Sequence, residues 1–344
     1  MKVAINTIAK NEASRVAEWL AHGVDADYLV VLDTGSTDNT VDLLKKGGAI
    51  VGYKEITPWR FDVARNEALK LVPEDADVVI AVDLDERIQP GWREALEKHW
   101  TPGTDQMNYW LHDKFLDKEM TIPTVQDNRL KIFRRHGIEW VRWVHEVPRR
   151  IDGESANVKV CHDIVVKHLQ LASAPSRDYV DILTQWINVD PDGEEQIEAL
   201  PERADEYSKK GEWYLSLQDL EAFIEKSRHP HCQQKDCMRC AQIAGSRAVA
   251  FLNIAQCKHQ MGWAPQVVFQ SLLKAVAECP TMREPWVFLA DGAKSIGNHA
   301  LALGASKTAM SITDNGIYTK NMLAWGDIPE KISREALVEL LKTP

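Results

Sequence analysis

Val78-Val79-Ile80-Ala81-Val82-Asp83-Leu84-Asp85-Glu86 runs from five apolar residues straight into three carboxylates. A short, continuous apolar run is the pattern of a strand buried on both faces of a parallel sheet. In an open α/β sheet the ligand crevice lies beyond the carboxyl ends of the strands, which is where these acids fall. Asp83 and Asp85 flank one residue, so their side chains can converge on one hard cation as the strand turns out. Mg²⁺ or Mn²⁺ takes oxygen ligands and bridges a few carboxylates to substrate phosphates. A solvated acidic turn is the other reading of this stretch taken alone.

Upstream the chain alternates two patterns. Val3 to Ile8 is a β-type run. Asn11 to His22 has helical spacing, with Val16, Trp19 and Leu20 on one face. Tyr28 to Leu32 reads as a second buried strand, ending in the turn Asp33-Thr34-Gly35-Ser36-Thr37-Asp38. A helix through Val41 to Lys46, a strand over Ala49 to Tyr53 and a helix over Phe61 to Leu71 lead to the strand quoted above. The order β-α-β-α-β-α-β predicts an α/β domain of the Rossmann-like kind, with a mostly parallel sheet covered by helices on both faces. Asp33 then ends a strand in the same crevice, where it could accept from a base N–H or a ribose hydroxyl. Helix capping suits Ser36 or Asp38 better. Arg65 could pair with a phosphate or with Asp62.

The rhythm changes at Ser173 to Arg177, and we place the boundary there: an α/β domain over 1–172 and an all-α domain over 173–344. In the second, Ala275, Leu289 and Ala290 recur as Ala309, Leu323 and Ala324 at a spacing of 34 residues. Ile254, Ala255 and Gly262 match Leu289, Ala290 and Gly297 at a spacing of 35. A period near 34 with small residues at fixed places is the signature of stacked helical hairpins of the TPR kind.

Bulk numbers narrow the classes. A chain of 344 residues with 44% apolar content fits a soluble globular protein of two domains or one large one. No apolar run is long enough to span a bilayer, and Met1 to Lys10 reads as a first strand and not a signal peptide. The net charge of −10 provides no bulk attraction to nucleic acid or anionic membrane. Six cysteines in so long a chain argue against a disulfide framework and for a reducing cytoplasm.

Four stretches carry a more specific signal: Lys10-Asn11-Glu12; Val31-Leu32-Asp33-Thr34-Gly35-Ser36-Thr37-Asp38-Asn39-Thr40; Ala64-Arg65-Asn66-Glu67-Ala68-Leu69; and Val82-Asp83-Leu84-Asp85-Glu86. In order and spacing they resemble family 2 glycosyltransferases of the GT-A fold, and in particular a bacterial and phage branch with a TPR-like C-terminal domain. The resemblance covers about the first 170 residues, and extends loosely to Arg283-Glu284-Pro285-Trp286. It implies that Thr7, Glu12 and Asp33 line a nucleotide pocket for a uridine diphosphate sugar. It implies that Asp83 and Asp85 form the metal and diphosphate site, completed by His168, with His162 as a competitor. It implies that Glu146, in Val144-His145-Glu146, is the catalytic base, an ion pair with Arg149 or Arg150 being the plain alternative. The activity implied is metal-dependent transfer of a sugar from a nucleotide sugar to an acceptor. One carboxylate base suffices for inverting transfer, and retaining transfer stays open.

The stretch from Met107 to Val125 holds no motif, so the acceptor is open: a protein, a glycan or a hydroxymethylated phage DNA base. Arg129, Lys131, Arg134, Arg135, Arg142, Arg149 and Arg150 could form a basic groove for DNA or a solvated charged face. His229, His231, Cys232, Cys237 and Cys240 could hold a structural Zn²⁺ or lie as free thiols in a polar loop. Among twelve Trp, Trp140 or Trp143 could floor an acceptor site, while Trp186, Trp213, Trp263 and Trp286 read as hairpin packing. The TPR-like half could bind a protein partner. Two other classes compete: a TPR scaffold carrying a catalytically silent α/β domain, and a nucleotidyltransferase, which would want a Gly-rich basic loop that Ile8 to Arg15 does not supply.

Overall fold

The structure is a computed structural model. It describes residues 1–115, 117, 119–169, 178–189, 194–227, 238–313, 324 and 326–342. The chain divides into two compact units, Met1–Arg177 and Asp178–Pro344.

The first unit opens as the residue pattern requires: β1 (Val3–Ala9), α1 (Ala13–His22), β2 (Tyr28–Asp33), α2 (Thr40–Lys46), β3 (Ile50–Tyr53), α3 (Phe61–Lys70) and β4 (Val78–Ala81). There follow β5 (Glu86–Ile88), α4 (Trp92–His99), β6 (Gln106–Phe115), β7 (Pro123–Arg134), β8 (Ile138–Val141), β9 (Val147–Arg150), β10 (Val158–Lys159) and β11 (Val165–His168). One nine-stranded sheet has the order β3-β2-β1-β4-β7-β6-β11-β5, with β10 also on β6; β8 and β9 form a separate hairpin. The pairs β1–β2, β2–β3, β1–β4, β6–β10 and β6–β11 are parallel. The pairs β4–β7, β6–β7 and β5–β11 are antiparallel. The sheet is therefore mixed, with parallel pairs in the majority.

Alternation along the strands divides the core in two, because successive side chains point to opposite faces. On one face Val3, Ile5, Val31, Val78 and Ile80 meet Val16 and Trp19 of α1 and Trp92 and Leu96 of α4. On the other, Ala4, Val30, Val79 and Ala81 meet Leu69 of α3 together with Phe133 and Trp140. Burying one such aliphatic side chain contributes about 1.5–3 kcal/mol, so both faces of β1 and β4 anchor the end from which the acids emerge. The chain moves to opposite sides of β1 to form β2 and β4, which makes the carboxyl ends of β1 and β4 the switch point of the sheet.

The described part of the second unit is helical: α5 (Val180–Val189), α6 (Glu194–Lys209), α7 (Trp213–Lys226), α8 (Met238–Gln260), α9 (Pro265–Glu278), α10 (Arg283–Ser295), α11 (His299–Ser311) and α12 (Ile328–Lys342). Each helix packs on the next, and α10 also touches α8 and α12, two places along. That is the stacking of TPR-like hairpins. The small residues of the period are where helices meet: Ala255, Ala275, Ala290, Ala309 and Ala324 are buried. Gly262 and Gly297, one repeat apart, have φ of 73° and 77° where their helices end, a conformation glycine adopts without a Cβ penalty. Leu323 lies outside the described residues.

Candidate active site

The site starts at the end of β4. Trp19 Nε1 donates to the Val82 carbonyl at 3.0 Å and fixes where the strand stops. The turn is then closed reciprocally: the Asp83 amide donates to Glu86 Oε2 at 2.9 Å, and the Glu86 amide to the Asp83 carbonyl at 2.8 Å. Burial, reinforced by the Asp83 carboxylate, pushes the Glu86 carboxyl above the usual range.

Asp83 turns toward α3. Arg65 grips it through Nη2, which donates to Oδ2 at 2.8 Å, while Nη1 lies 2.6 Å from Oδ1 as an ion-pair contact. The third nitrogen, Nε, donates to Glu146 Oε1 at 2.9 Å. Arg65 is only 3% exposed and Glu146 8%. Thr7, at the end of β1, donates from Oγ1 to Asp83 Oδ1 at 3.0 Å. Lys131, on β7, stands 3.8 Å from Asp83 and 3.9 Å from Glu146. Burial would raise both carboxyls, but Arg65 and Lys131 outweigh it and hold Asp83 and Glu146 below their ordinary values.

Glu146 follows a segment that α3 holds in place. Asn66 Nδ2 donates to the Trp140 carbonyl, and its Oδ1 accepts from the Trp140 amide, both at 2.8 Å. The Phe61 amide donates to the Trp143 carbonyl at 3.1 Å, and the Arg60 guanidinium lies 4.4 Å from the Trp143 ring centre. Arg142 and His145 take φ of 78° and 51°, uncommon for residues with a Cβ. The result is that His145 faces solvent while Glu146 faces inward.

A second group lies beside the first. β11 sits between β5 and β6, pairing His168 with Glu86, and the Leu169 amide donates to the Asp85 carbonyl at 2.7 Å. His168 Nε2 is 3.4 Å from Asp85 Oδ2, and Nδ1 is 3.3 Å from Asp113 Oδ1. Those carboxylates, Asp113 first, push the imidazole up to about 10. Among the described residues no three His, Cys, Asp or Glu side chains form a ready-made metal cage. Asp85 and His168 nevertheless fit a divalent ion that takes one or two protein ligands and completes its shell with phosphate and water. Asp83 has both oxygens engaged by Arg65.

Of the sequence-predicted residues, Thr7, Arg65, Asp83 and Glu146 come together, and Asp85 meets His168. Asp33 and Glu12 bind their own loops. Asp33 accepts from the amides of Gly35 and Ser36, its Oδ2 at 3.1 and 3.0 Å, across a turn in which Gly35 takes φ 115°. Glu12 pairs with Arg15 at 2.5 Å. Asn11 stitches these loops together, its amide donating to Ser36 Oγ and its side-chain oxygen accepting from the Thr37 amide.

The structure decides between several of the alternatives. Asp62 pairs with Arg60, not Arg65. Glu146 pairs with Arg65 and not with Arg149 or Arg150, which bind Glu139 and Asp105 with Asp152. His162 stacks on Trp110, 4.9 Å between ring centres. Trp140 is fully buried, edge-on to Phe133 at 5.4 Å, and cannot floor an acceptor site. Of the two readings of the basic cluster, a DNA groove or a solvated charged face, the groove is largely neutralised, with Arg129 on Asp127, Arg134 on Asp105 and Arg135 on Glu74. Trp186 is buried and Trp263 is 44% exposed. His229, His231, Cys232 and Cys237 lie outside the described residues, as does the side chain of Cys240. Cys161, Cys257 and Cys279 are free thiols. No helix among the described residues is long and apolar enough to cross a membrane.

Sequence reading set Lys131 in a basic groove and Glu86 among the acids after β4 without giving either this role, and it did not single out Asp113. The alternation of charged residues along β7 held a signal for the first; nothing local marked Asp113.

Residues 5–152 match the family model described as glycosyl transferase family 2. Among solved structures, the chain is similar to TarS of S. aureus, at 16% identity over 76% of this chain and 54% of that one, with a TM-score of 0.41. It is similar to glucosyl-3-phosphoglycerate synthase from Mycobacterium tuberculosis, solved with Mn²⁺, uridine diphosphate and glucosyl-3-phosphoglycerate, at 22% identity over 32% and 44% of the two chains and a TM-score of 0.28. It is also similar to MamA, at 19% identity over 47% and 87% and a TM-score of 0.31.

Proposed function

We propose that this chain, which carries a family 2 glycosyl transferase domain over residues 5–152, moves a sugar from a uridine diphosphate sugar to an acceptor nucleophile with a divalent ion, Mn²⁺ or Mg²⁺. The observation that carries the reading is the convergence of Thr7, Arg65, Asp83 and Glu146 at the switch point, with Asp85 and His168 alongside.

Asp85 and His168 would supply the protein's share of the ion's ligands. Asp83 is a third candidate, sharing its oxygens with Arg65. The ion, when bound, neutralises the diphosphate as it leaves. Asp33, the last residue of β2, and Glu12, which precedes α1, are the candidates for the nucleoside side of the donor. Glu146 is the candidate base for inverting transfer. Arg65 and Lys131 keep it ionised, so it is in the form that accepts the acceptor's proton. Arg65 also fixes its direction, which is the orienting role a second group plays toward a base.

The acceptor is a protein, a glycan or a modified DNA base. We place DNA last, because the basic residues that would face it are paired with acids. The TPR-like unit is the natural place for a protein partner, and the free thiols suit a reducing cytoplasm. The test is a screen of nucleotide sugars for hydrolysis with and without Mn²⁺, followed by mass spectrometry of candidate acceptors. Turnover of a uridine diphosphate sugar that needs the ion is the expected result. No turnover, and no thermal shift with uridine diphosphate, would instead mark the silent scaffold.

A further inference from the structure

His168 has carboxylates against both ring nitrogens, and the two differ in setting. Asp85 lies in the turn before β5, on the Nε2 side, and is 34% exposed. Asp113 lies near the end of β6, on the Nδ1 side, and is 19% exposed. The sheet dictates this arrangement. β11 pairs in parallel with β6, Lys167 opposite His112, so the next residues, His168 and Asp113, stand side by side. The same strand pairs antiparallel with β5, which brings up Asp85 from the other side.

An imidazole that binds a metal through one nitrogen needs its other N–H held, because that bond selects the tautomer and the ring orientation. We propose that Asp113 is a positioning residue: its carboxylate accepts the His168 Nδ1–H and presents the Nε2 lone pair to a divalent ion shared with Asp85. This rests on the reading that Asp85 and His168 hold the ion. Asp113 itself touches neither ion nor substrate. It acts at 3.3 Å through the ring.

The experiment measures Mn²⁺ affinity of the full chain with uridine diphosphate present, from the electron paramagnetic resonance signal of free Mn²⁺. The proteins are wild type, Asp113→Ala, Asp113→Asn, His168→Ala and Asp113→Ala/His168→Ala, each first checked for an unchanged melting curve. Loss of such an outer carboxylate weakens a metal by about 10–100-fold, and Asp113→Ala is expected in that range. Asp113→Asn keeps an oxygen that accepts from Nδ1–H and recovers most of the loss. The double variant binds as His168→Ala does, because Asp113 has nothing left to orient. If His168→Ala leaves the affinity unchanged, the metal reading falls and this inference falls with it. If His168→Ala weakens binding but Asp113→Ala does not, only the role of Asp113 is overturned. An equal loss from Asp113→Ala with and without His168, or no recovery in Asp113→Asn, also overturns it.

Discussion

Arg65 Nε donates to Glu146 Oε1 at 2.9 Å across 81 positions of sequence, and the same guanidinium holds Asp83 by its other two nitrogens. One buried cation thus serves two acids. Removing one partner from a buried ion pair costs about 3–5 kcal/mol, because a charge is left uncompensated. Arg65→Met is expected to destabilise the first unit by that amount, read as a lower urea midpoint in tryptophan fluorescence. A midpoint unchanged from wild type would show that Lys131 alone compensates both carboxylates.

Glu146→Gln keeps an oxygen for Arg65 and removes the capacity to take a proton. Transfer to acceptor is expected to fall by roughly 10²–10⁴-fold, with the dissociation constant for uridine diphosphate unchanged. Equal losses in transfer and in donor binding would assign Glu146 a structural role only.

Asp85→Ala removes the proposed oxygen ligand from a half-exposed turn and leaves Asp83, Glu86 and the core untouched. Ion-dependent turnover should drop more than about 100-fold, beyond the range of an outer-sphere loss, while the melting temperature stays at the wild-type value. Full activity in this variant would exclude Asp85 from the ion.

The acid limb of the reaction carries a further test. Arg65 and Lys131 outweigh burial and hold the Glu146 carboxyl below its ordinary 4.5. Its depressed folded value means that stability and base function are both present above the unfolded value and are lost as pH falls through the folded one. The acid midpoint of the rate should therefore lie below the ordinary carboxyl value of 4.5. Lys131→Met takes away one of the two cations, so the carboxyl rises and the limb moves to higher pH. A limb at the same pH in both proteins would show that Lys131 has no influence on Glu146.

The first four strands were legible because each is a compact apolar run followed by turn residues, and the structure places them within a residue or so of the reading. Local periodicity carries that information. The β6–β7 hairpin, by contrast, is a long antiparallel pair whose polar residues alternate with apolar ones without any motif, and it passed unread. The pairing of Arg65 with Glu146 was also illegible, since Glu146 had nearer arginines in sequence and only the turn at Arg142 and His145 directs it inward. Asp113 had no local signal; its meaning comes from the strand that arrives beside it from more than fifty positions downstream.

The late arrival of β11 has a consequence for a chain still being made. Asp83 and Asp85 leave the ribosome well before His168, and β5, together with the Trp110–His112 stretch of the β6 edge, has no strand to close against until residues 165–168 follow. A nascent chain that has folded β1 to β4 therefore holds the acids without the imidazole. The unfinished edges invite mispairing with other strands for as long as synthesis lasts. Closing the sheet and completing the centre are one event, and a polypeptide released early has neither.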